Sequence, residues 1–208
     1  TCWGFIGLFV KNIYRLGLTP YETVFYRMFL GAVFLGIVIL AKPSAGFRIS
    51  PKALFKTMAI GLVSQMFFNY FYFRSIEVNP LSLAVILMYT APVFAAVTAR
   101  FVYGELLTPG KIMALFFCLV GCFLTVTGGR PVIGNLDLSG ILFGLLSGFC
   151  YAMFPIISKS IPQGNNPYTL TFYSMLFGSI FFLPVAYFND ALIFTVSSGK
   201  IFYLALLV

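Results

Sequence analysis

Residues 20–34 read Pro20-Tyr21-Glu22-Thr23-Val24-Phe25-Tyr26-Arg27-Met28-Phe29-Leu30-Gly31-Ala32-Val33-Phe34. Residues 167–181 read Pro167-Tyr168-Thr169-Leu170-Thr171-Phe172-Tyr173-Ser174-Met175-Leu176-Phe177-Gly178-Ser179-Ile180-Phe181. Placed 147 positions apart, the two stretches are identical at seven of fifteen places. Composition alone, even in a Phe-rich chain, accounts for about one or two. With the shift lengthened by one, the preceding residues also match, at Cys2/Cys150, Lys11/Lys159 and Ile13/Ile161. The chain reads as an internal duplication.

The sequence on either side of these stretches shows what is duplicated. A bilayer core of about 30 Å needs about 20 apolar residues per helix. With Gly, Pro and charge as punctuation, the predicted spans are Cys2–Leu18, Thr23–Ala41, Ala53–Ile76, Leu81–Tyr103, Gly110–Thr127, Gly140–Ser160 and Tyr168–Phe188, and an eighth begins near Ile201. The links hold turn residues, such as Asn79-Pro80 and Pro162-Gln163-Gly164-Asn165-Asn166-Pro167. Strands of a membrane barrel would be about ten residues of strict alternation, and these runs are continuous and twice as long. The expected fold is an all-α membrane protein. Because the first two spans match the sixth and seventh, one repeat holds five helices. An odd number inverts the second copy in the membrane, an architecture common among secondary transporters. Residues 1–127 would then be the first repeat and 140–208 the start of the second. This gives a ten-helix bundle when intact, of which about seven and a half helices are present here.

Composition agrees. Of 208 residues 61% are apolar and 9% charged, and the mean hydropathy is +1.01. A soluble domain carries about 25% charged residues, so the solvent of this chain is lipid. The net charge of +8 does not indicate nucleic acid, because the basic residues stand singly at the ends of apolar runs. One link is uniformly basic, with Lys42, Arg48, Lys52 and Lys56, and is expected on the cytoplasmic side. The parity of crossings then places Glu105–Lys111 on that side too. No His is present, which removes imidazole acid–base catalysis, His-metal sites and Ser-His-Asp triads from this stretch. The four cysteines lack ligand spacing and read as small packing residues. No catalytic residue, metal site or cofactor is expected.

At this point the residues resemble a known family. Trp3-Gly4 with Lys11, then Pro20 with Arg27, is similar to the opening of the EamA-type domain of the drug/metabolite transporter superfamily. Asn79-Pro80-Leu81-Ser82-Leu83-Ala84 leading to Tyr89-Thr90-Ala91-Pro92-Val93-Phe94, followed by Gly104-Glu105, resembles its fourth and fifth helices. The resemblance implies ten helices in two inverted halves that move small metabolites, amino acids or drugs. It also implies a multi-pass protein of a bacterial or archaeal inner membrane.

Candidate substrate contacts follow from polar residues at membrane depth, where a polar group must find a partner, water or ligand. Gln65 and Asn69 share one helical face, with Tyr72 a turn further on. Tyr89 leads a face of the fourth span in which Pro92 frees a carbonyl one turn earlier. Pro155 does the same in the sixth span, near Tyr151. Arg27 and Tyr173 belong to the duplicated stretch. Lys11 and Lys159 lie a turn or two inside helix ends and, after inversion, near opposite mouths. For each the structural alternative stands beside the functional one: interhelical hydrogen bonds for the amides, a bare kink for the prolines and snorkelling for the lysines. Two small-residue stripes, Gly140/Gly144/Gly148/Ala152 and Gly110/Ala114/Cys118/Cys122, suit close helix approach in lipid. Whether they pack within one chain or pair two copies as a homodimer stays open at this level.

The reading that absorbs most of these features is a secondary transporter of a small-molecule substrate in the lipid bilayer. The alternative is an intramembrane enzyme or a membrane assembly subunit with active residues outside residues 1–208. The duplication makes a prediction beyond Val208. About twenty residues further on, the native gene should encode a counterpart of Asn79–Phe94 with a kinking Pro. Sequencing that gene checks it, and a soluble domain in that place would refute the ten-helix architecture.

Overall fold

The computed structural model describes residues 20–41, 46–127, 137–162 and 164–188. They form α1 (Pro20–Ala41), α2 (Pro51–Ile60), a π-helical segment (Gly61–Phe67), α3 (Phe68–Val78), α4 (Leu81–Met88), α5 (Ala91–Tyr103), α6 (Pro109–Thr127), α7 (Leu138–Lys159) and α8 (Pro167–Phe188). There is no strand among the described residues. The second to seventh predicted spans all coincide with helix. The first span, with Lys11, and the eighth lie outside the described residues. Val24–Ala41, Leu81–Tyr103, Leu138–Lys159 and Pro167–Tyr187 are long and apolar enough to cross a bilayer. The protein is an all-α, multi-pass membrane protein.

The helix ends are written in the sequence. Ser50 caps α2 by accepting the Ala53 N–H at 3.3 Å, and Pro51 follows at the first helical position, where no N–H is needed. Asp137 caps α7, its carboxylate accepting from the backbone of Ser139 at 2.7 Å and Gly140 at 3.4 Å. At the end of α5, Gly104 adopts φ 67° and returns its N–H to the Arg100 carbonyl at 3.0 Å. That left-handed turn suits Gly, and it sends Glu105 off the helix axis.

Two spans depart from ideal helix within their length. The third continues from α2 to α3 through the π segment. The fourth breaks at Tyr89-Thr90, so Pro92 stands in the first turn of α5 and not inside a continuous helix. Thr90 donates its hydroxyl to the Leu87 carbonyl at 2.6 Å and its N–H to the same carbonyl at 3.1 Å. Having no N–H, Pro92 leaves the Met88 carbonyl without its usual helical donor.

Packing divides the molecule into two compact units. In the first, α8 packs along both α1 and α2. A Cβ added to Gly61 would stand 2.8 Å from Phe177 Cβ and 2.9 Å from the Ser174 carbonyl, so only glycine permits this approach. Phe182 is fully buried and stacks near Tyr21, with 6.4 Å between ring centroids. The loop ahead of α2 is stitched to the start of α8. Thr169 donates to the Gly46 carbonyl at 2.9 Å, and the Ser50 N–H to Asn165 Oδ1 at 3.3 Å.

In the second unit α7 packs on α3, α4 and α5 along the Gly140/Gly144/Gly148 stripe. Added Cβ atoms there would come within 2.1 Å of Asn79 Nδ2, 2.6 Å of Leu87 Cδ1 and 2.9 Å of Thr90 Oγ1, respectively. The bare backbone is also used. Ser75 donates its hydroxyl to the Gly140 carbonyl at 2.8 Å. Asn79 and Asp137 exchange two bonds, Asp137 N–H to Asn79 Oδ1 at 2.9 Å and Asn79 Nδ2 to the Asp137 carbonyl at 3.0 Å. The expected stripe on α6 behaves differently. Cys118 is exposed, and nothing lies within 4 Å of a Cβ placed on Gly110.

The contrast is testable in the full-length protein. Gly140→Ala displaces the tethered Asn79 amide and should cost about 1–3 kcal/mol, the usual range for overpacking. Gly121→Ala, with open space around it, should be close to neutral. Thermal unfolding in detergent distinguishes them, and equal losses would show that the Gly140 contact is not a packing constraint.

Candidate functional site

Two groups of side chains in the second unit combine polarity with irregular backbone. The first gathers on α3 and the helices it touches. Asn69 is buried and donates its side-chain amide to the Gln65 carbonyl at 2.6 Å. This bond serves a carbonyl of the π segment four residues back, within one helix. Gln65 itself is half-buried. One residue earlier, the Ser64 hydroxyl is buried and is the one buried side-chain polar atom without a hydrogen-bond partner among the described residues. The sequence reading passed over Ser64. Its signal was a hydroxyl beside an amide in the middle of an apolar run, and π segments of this kind recur at functional sites.

Aromatic rings adjoin this face. Phe68 stacks with Tyr72 at 5.9 Å and lies 5.2 Å from the Tyr151 ring, while Phe71 stacks with Phe143 at 6.1 Å. The structure thus joins Tyr72 and Tyr151 through Phe68, a link that sequence spacing could not show. Tyr89 is exposed at the α4/α5 break, and Pro92 is exposed beside it.

The second group sits where α5 and α7 end and α6 begins. Lys159 Nζ donates to Glu105 Oε1 at 2.5 Å, and Lys111 Nζ to Glu105 Oε2 at 3.3 Å. The Lys159 ammonium also lies 4.6 Å from the centre of the Tyr103 ring, within cation–π range. The Tyr103 hydroxyl donates to the Ile156 carbonyl at 2.6 Å, capping an otherwise open acceptor at the end of α7. These residues rim a cavity of about 460 Å³ whose wall includes Ala95, Ala99, Ala114 and Pro155. Of the residues singled out in the sequence, Lys159 and Pro155 fall here. The sequence marks Glu105 by topology and by the Gly104-Glu105 motif, and Lys111 by topology alone.

Two other candidates belong to the first unit. Arg27 is half-buried on α1. Tyr173 donates its hydroxyl to the Phe47 carbonyl at 3.3 Å, so it helps tie the loop before α2. Lys11 lies outside the described residues.

The comparisons with known proteins accord with this architecture. The model of the EamA-like transporter family matches residues 1–127 and 138–208. The chain belongs to the EamA-like transporter family. A Bacillus subtilis (strain 168) protein named uncharacterized transporter YxxF is 28% identical over 192 residues, covering 90% of this chain and 59% of its own. An Archaeoglobus fulgidus protein named uncharacterized transporter is 27% identical over 185 residues, covering 87% of this chain and 61% of its own. A solved crystal structure superposes with a TM-score of 0.78 at 15% identity, over 99% of this chain and 69% of that one, which shows a shared fold. The chain spans about three fifths of the length of these curated relatives.

The two lysines hold the Glu105 carboxyl below its usual range, chiefly through the hydrogen bond from Lys159 and then that from Lys111. A carboxylate with a depressed folded pKa contributes stability above its unfolded value, and the contribution is lost as pH falls through the folded one. The difference in melting temperature between wild type and Glu105→Gln should therefore be present at neutral pH and close below the ordinary carboxylate range. A gap unchanged by acid would mean that the bridge does not act through charge.

Proposed function

We propose that this chain is the transport module of a secondary transporter that moves a small metabolite, amino acid or drug-like solute by alternating access. In this reading the intact protein has ten helices in two inverted halves. Membership of the EamA-like transporter family supports a transporter in general terms. The observation that carries the finer reading is the pair of backbone irregularities within apolar spans. These are the π segment Gly61–Phe67 and the break at Tyr89-Thr90. Non-helical backbone is tolerated at membrane depth only where it is buried in protein or lines a water-filled cavity. Transporters use such discontinuous helices to present carbonyl and N–H groups to solute at the midplane.

The roles follow from position. Gln65, Asn69 and the freed carbonyl before Pro92 would offer hydrogen bonds to solute. Tyr72, Tyr89 and Tyr151 would offer aromatic faces with polar tips. Arg27 and Tyr173 would contribute from the two copies of the duplicated stretch. Lys11 and Lys159 would stand at the two mouths, with Lys159 held by Glu105 in the conformation seen here. Alternating access would require that such contacts exchange as the path opens to either side.

Counterflow into proteoliposomes containing the full-length protein tests this reading. Labelled solute from a panel of amino acids and nucleosides should accumulate only against a preloaded partner. Asn69→Leu should lower the initial rate by an order of magnitude, and Phe101→Ala, at an exposed apolar position on α5, should leave it unchanged. Absence of solute-dependent counterflow across the panel would reject transport of these classes, and equal rates in Asn69→Leu would reject the assigned path.

A further inference from the structure

The cavity between α5, α6 and α7 has an uneven chemistry. Its opening lies at helix ends and carries Lys111, Lys159 and Glu105, while its interior is built from Ala95, Ala96, Ala99 and Ala114. The ends of apolar spans lie at the level where hydrocarbon gives way to headgroups. The lysines at this rim are about half exposed, with 51% and 57% of their side-chain surface accessible. Glu105 engages one Nζ proton of each, and an ammonium carries three donors, so both lysines retain donors for a further acceptor. Two ammonium groups against one carboxylate leave a surplus of one positive charge.

We propose that this cavity is a binding site for an anionic phospholipid. The phosphodiester lies between Lys111 and Lys159 on the side away from Glu105, and one acyl chain runs down the alanine wall. The order of surfaces, cationic at the rim and apolar beneath, is the order of such a lipid from headgroup to tail. A phosphodiester with one negative charge matches the surplus. A zwitterionic lipid brings no net charge to meet it, and a small soluble anion gains nothing from the alanines. By the parity of crossings the rim faces the cytoplasm, the leaflet whose anionic lipids attract basic groups beside membrane helices.

The site has a consequence for the ion pairs. Lys159 bridges from the end of α7 to the Glu105 loop, and Lys111 from the first turn of α6 to the same carboxylate. A phosphate bound to both lysines would compete with Glu105 for their donors. Glu105 therefore sets the affinity by occupying the cations in the absence of lipid.

Native mass spectrometry of the full-length protein tests the proposal, with dioleoylphosphatidylglycerol and dioleoylphosphatidylcholine as probes. Because lipid binding is read by mass, the outcome is separable from success or failure of the transport assay. Wild type should retain phosphatidylglycerol in preference. A basic residue near the membrane surface contributes about a fivefold factor in binding anionic lipid, so Lys111→Gln and Lys159→Gln should each weaken retention by about fivefold. Glu105→Gln should strengthen it, an effect opposite to that of general damage. Ala99→Leu, which fills the wall, should weaken the lipid and leave phosphatidylcholine retention elsewhere unchanged. Three results would overturn the proposal: lysine variants that hold phosphatidylglycerol like wild type, weaker retention in Glu105→Gln, or displacement by glycerol phosphate at the same concentration as whole lipid. The last would identify a small-anion site in place of a lipid site.

Discussion

In hydrocarbon there is no water to accept a stray hydrogen bond, so every backbone N–H and C=O at membrane depth must be satisfied by protein or face a water-filled cavity. That constraint governs this structure. It makes continuous helix the default in the apolar spans, and it makes each departure from helix conspicuous. Between Tyr89 and Thr90 the departure is kept tolerable by local means: the Thr90 hydroxyl and N–H both turn back to the Leu87 carbonyl. In the π segment the Asn69 amide supplies a donor to the Gln65 carbonyl. Polar side chains here repair the backbone at the places where it is irregular, and this is why they tolerate an apolar surrounding. A residue repairing backbone in one conformation is also positioned to release it in another, which links the packing to the proposed transport cycle.

The same solvent changes what holds helices together. Lipid tails are as apolar as Leu, so association depends on close contact and on polar bonds between helices. The α7 glycines meet both needs. Removing side chains at Gly140, Gly144 and Gly148 brings the backbone of α7 against Asn79, Leu87 and Thr90, and it exposes the Gly140 carbonyl to the Ser75 hydroxyl. Asn79 and Asp137 close the end of this seam with two reciprocal bonds, while Asp137 also caps α7. One residue thus serves twice: its carboxylate fixes the start of the helix, and its backbone, held by the Asn79 amide, fixes the register against α3.

Much of the fold was legible because lipid makes its rules simple. Uninterrupted apolar length marked each span, and Pro51, Asn79-Pro80, Pro109 and Pro167 marked the boundaries within a few residues. The π segment was not legible, since Gly61–Phe67 continues the apolar run without any breaker inside a helical pattern. The break at Tyr89-Thr90 was legible only as a kink, because a Pro in a helical run fits both outcomes and the choice rests on how Thr90 packs against Gly148. The site divided along similar lines. Gln65, Asn69 and Lys159 stood out because a polar group in an apolar run is costly. Ser64 did not, being small enough to pass as packing. Glu105 and Lys111 are ordinary residues for a water-facing loop, so they carry no such signal. What brings Glu105 to Lys159 is a contact across 54 residues, set by the left-handed turn at Gly104 and the approach of α5 to α7. No local pattern encodes such a meeting.

That meeting bears on how such a bundle could work. Glu105 is the last link between three helix ends, and it holds them by charge at an exposed rim where solvent screens the attraction. A contact of this kind is too weak to lock a helix and strong enough to bias it. In the same unit, the glycine seam is buried and the Asn79–Asp137 exchange at its far end is part-buried, and both are geometrically demanding, so they would hold α3, α4 and α7 as a body. The contrast between the close-packed seam and the exposed ion pairs would place the compliance of this unit at its Glu105 rim. In the proposed alternating-access cycle, a helix end shifting there without breaking the seam would supply one side of the transporter: a firm framework around the irregular backbone, and an opening governed by interactions that are easily exchanged.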